Sequence, residues 1–240
     1  MPLAKKLAQQ GYSVKGSNTS NKKRKELVTY GISSYIFSIE DLNQISDFLE
    51  SNTLIVAITS KSIEAFEKFI SNIEQSSIQQ VLFISSTSVY PFNNAEVTEL
   101  TETINKPLTK IEQLFIQNKK FKTTIVRFGG LFGPNRHPGN FIKRESQLNN
   151  PKGIVNLIHL EDCLAVLERI IKHGHWNQIF NACANSHPTR ESFYTKQLLK
   201  LGKQKPVFNH NSETKYKIVN SDKLQILLNY SYKFDDLMLL

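Results

Sequence analysis

Three apolar runs limit what this chain can fold into more than any other feature. Thr53-Leu54-Ile55-Val56-Ala57-Ile58, Val81-Leu82-Phe83-Ile84 and Thr124-Ile125-Val126 lack the alternation of a half-exposed strand. Such runs bury both faces, which is the habit of a parallel sheet covered by helices. Helical stretches lie between them. Ile63, Phe66, Ile70 and Ile73 fall on one stripe, and a further helix is expected over Leu108–Ile116. This strand–helix alternation predicts an α/β fold with a doubly wound, Rossmann-type parallel sheet.

The flanking segments extend the pattern. Pro2 suits a first helical turn, Leu3, Ala4, Leu7 and Ala8 share a face, and Gly11 is placed as a helix-ending glycine. A strand is expected over Tyr12–Lys15, a helix over about Lys22–Tyr30, a short strand near Tyr35–Phe37 and a helix around Asp41–Glu50. The second half predicts a strand at Gly153–His159 and a helix at Glu161–Lys172 with Leu164, Leu167, Ile170 and Ile171 inward. A strand at Ile179–Ala182, a helix at Thr189–Leu201 ended by Gly202, a strand at Tyr216–Val219 and a helix near Asp222–Leu228 complete it. No repeat or low-complexity linker divides the halves. The expected organisation is a Rossmann-type core over 1–150 and a small C-terminal lobe over 151–240, with one strand (about 178–183) returning to the core sheet.

Composition excludes several classes. The 240 residues are 40% hydrophobic and 21% charged, with no apolar run long enough to span a bilayer and no secretory leader at the start. Cys163 and Cys183 form no metal-ligand spacing, and two scattered thiols suit a reducing cytoplasm. The net charge of +9 has its densest cluster at Lys22-Lys23-Arg24-Lys25, with no nucleic-acid-binding signature beside it. It is read as a solvated basic face, so neither nucleic acid nor membrane is expected as a partner.

Ligands of an open parallel sheet bind beyond the carboxyl ends of its strands. Ser85-Ser86-Thr87-Ser88-Val89-Tyr90-Pro91 follows the second apolar run, and a long loop without obvious secondary structure continues to about Lys106. Arg127-Phe128-Gly129-Gly130-Leu131-Phe132-Gly133-Pro134-Asn135-Arg136 follows the third; its small residues let a backbone approach a flat ligand. Further strand ends carry polar residues at His159 and Asn181.

Four strings then stand in a recognisable order. FISSTSVYP (Phe83–Pro91), VRFGGLFGPNR (Val126–Arg136), VNLIHLEDC (Val155–Cys163) and IFNACA (Ile179–Ala184) resemble the extended short-chain dehydrogenase/reductases, the NAD-dependent epimerase/dehydratase family acting on nucleotide sugars. The tail KIVNSDKLQILLNY (Lys217–Tyr230) is similar to that family's C-terminal helix region. In the family a strand and a GxxGxxG turn precede the helix that here begins PLAKKLAQQGY. That turn binds the cofactor pyrophosphate on glycine backbone and a helix N-terminus. The first glycine here is Gly11, so the resemblance implies a chain lacking one strand and one turn, and one of poor stability because neighbouring strand edges would be exposed.

The resemblance also implies site residues. The family's Ser or Thr is matched by Ser86, but its Tyr-x-x-x-Lys pair is not. If Lys110 matches the family lysine, Lys106 stands in the tyrosine's place; if Glu112 sets the register, Ile104 and Leu108 fill the pair. Neither offers a phenol, and losing a positioned acid/base lowers rates by roughly 10²–10⁴. Ser86 and Lys110 are the catalytic candidates, Ser86 bonding a substrate oxygen and Lys110 or Lys106 placing positive charge near it. Asn18, Thr19, Ser20 and Lys22 occupy the stretch that selects the cofactor, where an amide, hydroxyls and cations suit a 2′-phosphate better than a diol. NADP is therefore the expected cofactor and NAD the alternative, with a solvated helix cap as the competing reading of the same residues. Ile58, Ser85, Phe128 and Gly129 are the remaining cofactor candidates, and Thr87, Arg127 and Arg136 the substrate candidates, the arginines toward a phosphate.

Tyr90 is expected to pack its ring rather than move a proton, His159 to be a hydrogen-bonded structural residue, and Asp162 to be the N-cap or a first-turn acid of its helix. Glu96, Glu99 and Glu102 are expected to be solvated, and His173 and His175 to bind no metal. Three functions remain: an oxidoreductase or epimerase on a nucleotide sugar or similar carbonyl compound, a catalytically silent dinucleotide sensor or scaffold, and a fragment that binds no cofactor. A homo-oligomer is compatible with each.

Overall fold

The computed structural model describes residues 2–21, 24–43, 45–142 and 147–240. They form two compact units, Met1–Ile84 with Asn105–Ile125 and Ile171–Gln178, and Ser85–Ile104 with Val126–Ile170 and Ile179–Leu240.

The first unit begins with α1 (Pro2–Gln9), β1 (Lys15–Asn18), α2 (Arg24–Thr29) and β2 (Ser33–Ile36). β1 and β2 run parallel, from Lys15 opposite Ser33 to Asn18 opposite Ile36. The strand expected at Tyr12 starts at Lys15 because the chain first closes the helix. Gly11 takes a left-handed φ of 88°, and Tyr12 N donates to Leu7 O at 3.1 Å, which spends the Tyr12 amide on the cap. α3 is shorter than expected, Ser46–Leu49, since Asp41 bonds back to Ser38 in a turn.

β3 (Thr53–Val56), α4 (Ile63–Glu74), β4 (Gln80–Ser86), α5 (Pro107–Gln117) and β6 (Lys122–Phe128) supply the three apolar strands and the helices between them. β3 and β4 are parallel, with Thr53 opposite Gln80 and Val56 opposite Phe83. Ser62 caps α4 by accepting from Ala65 N at 3.2 Å, and Pro107 opens α5. The stripe on α4 buries Phe66, Phe69, Ile70 and Ile73. Phe66, Phe83 and Phe115 meet at the centre, with ring centroids 4.9–6.0 Å apart.

β4 and β6 pass from one unit into the other, and the four-stranded sheet has the order β3-β4-β6-β9, where β9 is Ile179–Ala182. The second unit adds β5 (Glu96–Val97), β7 (Gly130–Phe132), β8 (Leu157–His159), α6 (Leu160–His173), α7 (Arg190–Lys200), β10 (Ile218–Val219) and α8 (Asp222–Leu228). β7 pairs with β8 and β5 with β10, both parallel. β8 is shorter than the expected Gly153–His159, because Val155 N donates to Pro188 O and Ile154 bridges Thr189 instead. A 3-10 turn, Thr87–Val89, follows β4, and the loop beyond Pro91, expected to lack structure, instead contains β5. Its return is fixed where Ile104 N donates to Val89 O at 2.9 Å.

A second apolar cluster joins Phe132, Val155, Leu157, Ala184, Phe193, Tyr194 and Leu237. Asp162, in the first turn of α6, accepts from Tyr230 Oη at 2.6 Å, Lys233 N at 2.8 Å and Phe234 N at 3.1 Å. The C-terminal segment is thereby tied to α6. No helix of the described residues is long and apolar enough to cross a membrane.

Candidate functional site

In the second unit, the chemistry gathers at the carboxyl end of β4. Ser86 is the last residue of that strand, and its Oγ accepts from Ser88 N at 3.1 Å, fixing the turn that follows. Ser85 and Thr87 are buried on either side of it.

Four residues beyond Ser86, Tyr90 is 1% exposed. Its Oη donates to Asn181 Oδ1 at 2.8 Å and accepts from Arg127 Nη1 at 2.7 Å. The Arg127 guanidinium also lies 5.0 Å from the Tyr90 ring centroid. Burial pushes the phenol pKa up, only partly offset by the Arg127 charge, so the group stays protonated at neutral pH. Tyr90 is thus a ring and a hydroxyl joining three strand ends, those of β4, β6 and β9. Asn181 is satisfied throughout: Nδ2 donates to Asn220 O at 3.1 Å, and its backbone N donates to Glu99 Oε1 at 2.7 Å. Lys217, buried just ahead of β10, donates from Nζ to Tyr90 O at 2.8 Å.

Arg127, expected at the mouth of a substrate site, is 3% exposed. Arg136 is exposed; its Nε donates to Leu131 O at 2.8 Å and its guanidinium lies 4.8 Å from the Phe141 ring. Phe128 and Gly129 are buried at the end of β6, where Gly129 N donates to Ala182 O at 2.9 Å. A Cβ on Gly129 would lie 3.0 Å from Asn156 O and 3.2 Å from Cys183 Sγ, so the close approach served by this glycine is to the protein's own chain.

His159 is buried at the end of β8, with Nδ1 accepting from Glu161 N at 3.2 Å and its ring 3.6 Å from that of Phe234. Burial lowers its pKa. Among the described residues no group of three or more potential ligands could hold a metal ion.

In the first unit, Asn18 ends β1, and Thr19 and Ser20 follow it on the surface. The Asn18 Nδ2 atom is buried and has no hydrogen-bond partner among the described residues. Lys22 lies outside the described residues. Arg24 and Lys25 are exposed at the start of α2, and the first carboxylate, Glu26, is engaged by Lys5 at 2.8 Å. An unsatisfied donor, two hydroxyls and nearby cations fit an anionic ligand group better than a diol, which asks for an acceptor. Ile58 is 43% exposed beyond the end of β3.

Lys110 is exposed in the first turn of α5, and Lys106 is exposed and extended immediately before it. Lys106 N donates to Thr109 Oγ1 at 3.0 Å, so residue 106 is the cap of that helix. Neither register places a tyrosine here. Ser86 falls in the second unit and Lys110 in the first. The residues that sequence reasoning passed over are Asn181, Glu99 and Lys217. Asn181 had a signal, an amide near the end of a strand; Glu99 had none, since a charge in a loop looks solvated, and Lys217 fell in the strand expected at Tyr216–Val219 with nothing to mark it as buried.

These elements define a Rossmann-like α/β fold, similar in shape to solved epimerase, dehydratase and short-chain dehydrogenase/reductase proteins. No family model matches the chain. It is 27% identical over 255 residues to Protein YeeZ of Escherichia coli (strain K12), covering 98% of this chain and 93% of that one. A functionally unknown conserved protein from Silicibacter pomeroyi superimposes with a TM-score of 0.80 at 17% identity, covering 99% and 91% of the two chains. MoeE5 in complex with UDP-glucose and NAD gives 0.78 at 14% identity, over 97% and 89%. The UDP-glucose 4-epimerase of Thermotoga maritima, solved with UDP-glucose, gives 0.78 at 14% identity, over 99% and 92%.

Proposed function

We propose that this chain is a dinucleotide-binding protein of the epimerase/dehydratase type, with NADP as its dinucleotide and a nucleotide sugar as its second ligand. The observation that carries the reading is the buried Asn18 Nδ2, a donor at the carboxyl end of β1 without an acceptor among the described residues. A buried unpaired donor costs roughly 1–3 kcal/mol, which an anionic ligand oxygen would recover. Thr19 and Ser20 would add hydroxyl donors, and Arg24 and Lys25 positive charge, toward a 2′-phosphate. The likeness in fold to proteins solved with NAD and UDP-glucose supports both ligand classes.

When bound, the nicotinamide supplies a hydride acceptor or donor. Ser86 Oγ, fixed by the turn it caps, would donate to a carbonyl or hydroxyl oxygen of the sugar. In the first unit, Lys110 and Lys106 remain the candidates for a positive charge toward a ligand. Tyr90 has no part in proton transfer, being buried and held between Arg127 and Asn181. A second reading, a dinucleotide-binding protein without turnover, is favoured by the lack of a tyrosine in either register of the family's pair, Lys106 with Lys110 or Ile104 with Leu108.

Titration calorimetry tests the reading. Wild type is expected to bind NADPH more tightly than NADH, and Asn18→Asp to reverse or erase that preference. No binding of either dinucleotide overturns it. Turnover of NADPH with UDP-sugars, lost in Ser86→Ala, selects the enzyme; tight binding without turnover selects the silent protein.

A further inference from the structure

Phe92 is 63% exposed, yet the chain that carries it is firmly held. Two residues before it, Tyr90 O accepts from Lys217 Nζ at 2.8 Å. Two residues after it, Asn94 stands at a left-handed φ of 56° and is fastened on both sides. Asn94 N donates to Tyr216 O at 3.0 Å, Tyr216 N donates to Asn94 Oδ1 at 2.8 Å, and Asn94 Nδ2 donates to Thr214 O at 3.3 Å. The backbone therefore presents the ring in a defined place.

The Lys217 ammonium lies 4.7 Å from the centroid of the Phe92 ring, on a residue only 6% exposed. The ring is thus backed by a sequestered cation and still remains largely open. A cation over an aromatic face is attracted to it by the ring quadrupole, which helps to hold the ring in place. A ring held open in this way offers a stacking face to a flat π system such as a nucleobase. The ring also stands six residues beyond Ser86, past the carboxyl end of β4, where sheets of this kind take ligands.

We propose that Phe92, backed by Lys217, is a stacking platform for the base of a nucleotide ligand. The assignment rests on the nucleotide-sugar reading above and adds to it a residue that recognises the nucleoside rather than the sugar. Alanine substitution of an aromatic stacked on a base weakens binding by about ten-fold or more.

The test is calorimetry on the full chain with UDP, dTDP, GDP, glucose 1-phosphate and NADPH. Phe92→Ala is expected to weaken the preferred nucleoside diphosphate by about ten-fold and to leave NADPH unchanged, while Phe92→Trp keeps the affinity. If wild type binds a nucleoside diphosphate and Phe92→Ala binds it within about two-fold, the platform is overturned and the nucleotide-sugar reading survives. A loss confined to glucose 1-phosphate overturns it in favour of a sugar contact. If wild type binds none of the three diphosphates, both fall. Phe92 is exposed, so unchanged thermal melts are expected for its variants and show that any loss is local.

Discussion

Replacing Tyr90 with phenylalanine removes one oxygen atom and nothing else, at a place where the structure fixes what that atom does. Its hydroxyl makes two short hydrogen bonds, one to Asn181 Oδ1 and one from the Arg127 guanidinium. Tyr90, Arg127 and Asn181 are 1%, 3% and 0% exposed, so water does not replace the lost partner. A neutral buried hydrogen bond contributes about 1 kcal/mol, one to a charged group about 1.5–3, and a group left unsatisfied loses its full desolvation energy. The expected loss is therefore about 2–4 kcal/mol, with no cavity term because the ring is retained. Urea unfolding at neutral pH measures it, as a lower midpoint at unchanged slope. A double variant with Asn181→Leu should lose less than the sum of the two singles, because the two share one bond. A loss below about 0.5 kcal/mol for Tyr90→Phe would refute the reasoning, since it would mean that the Arg127 and Asn181 groups find other partners at no cost.

Three further outcomes follow from the same geometry. Burial raises the phenol pKa of Tyr90, Tyr194 and Tyr232 above the ordinary value of 10.0, so the folded state holds these protons after the unfolded chain has released them. Stability should be level below that value and fall as pH rises through it; equilibrium unfolding that stays level across this range would contradict the burial. Asp162→Ala removes the acceptor of Tyr230 Oη, Lys233 N and Phe234 N, and should lower stability by about 3 kcal/mol and expose the segment after α8 to proteolysis, read by mass spectrometry of a timed digest. Gly139, in a 3-10 turn over Pro138–Asn140, would as alanine place a Cβ 2.7 Å from Gln197 O, a backbone atom of α7, and Gly139→Ala should cost about 1–3 kcal/mol in a thermal melt, whereas an alanine that melts like wild type would mean that this turn moves freely away from α7.

Legibility in the sequence followed locality. The three apolar runs became β3, β4 and β6, and the strand at Ile179–Ala182 and the helix at Asp222–Leu228 have the expected bounds, because burial on both faces and helical periodicity are written in neighbouring residues. β5 and β10 were not legible as a pair. Each has two residues, and Glu96 and Ile218 are brought opposite one another by the fold, not by any local pattern. The same holds for Glu99, expected in solvent, which instead accepts from the backbone of Asn181. The units, too, are assembled from separated stretches, since β4 and β6 run through both.

Two asparagines show where sequence stops and geometry begins for the candidate site. Asn18 and Asn181 both stand in the last two residues of a β-strand, and the alphabet alone gives them equal claim on a ligand. Asn181 has its Oδ1 taken by Tyr90 and its Nδ2 by Asn220 O, so it closes a network inside the protein. Asn18 has its Nδ2 buried and without a partner among the described residues. A polar group that the protein has already satisfied gains little from a ligand, and one left unsatisfied gains the full hydrogen bond. Partner identity, which no residue pattern encodes, is therefore what separates the amide that holds the fold from the amide that can hold a cofactor.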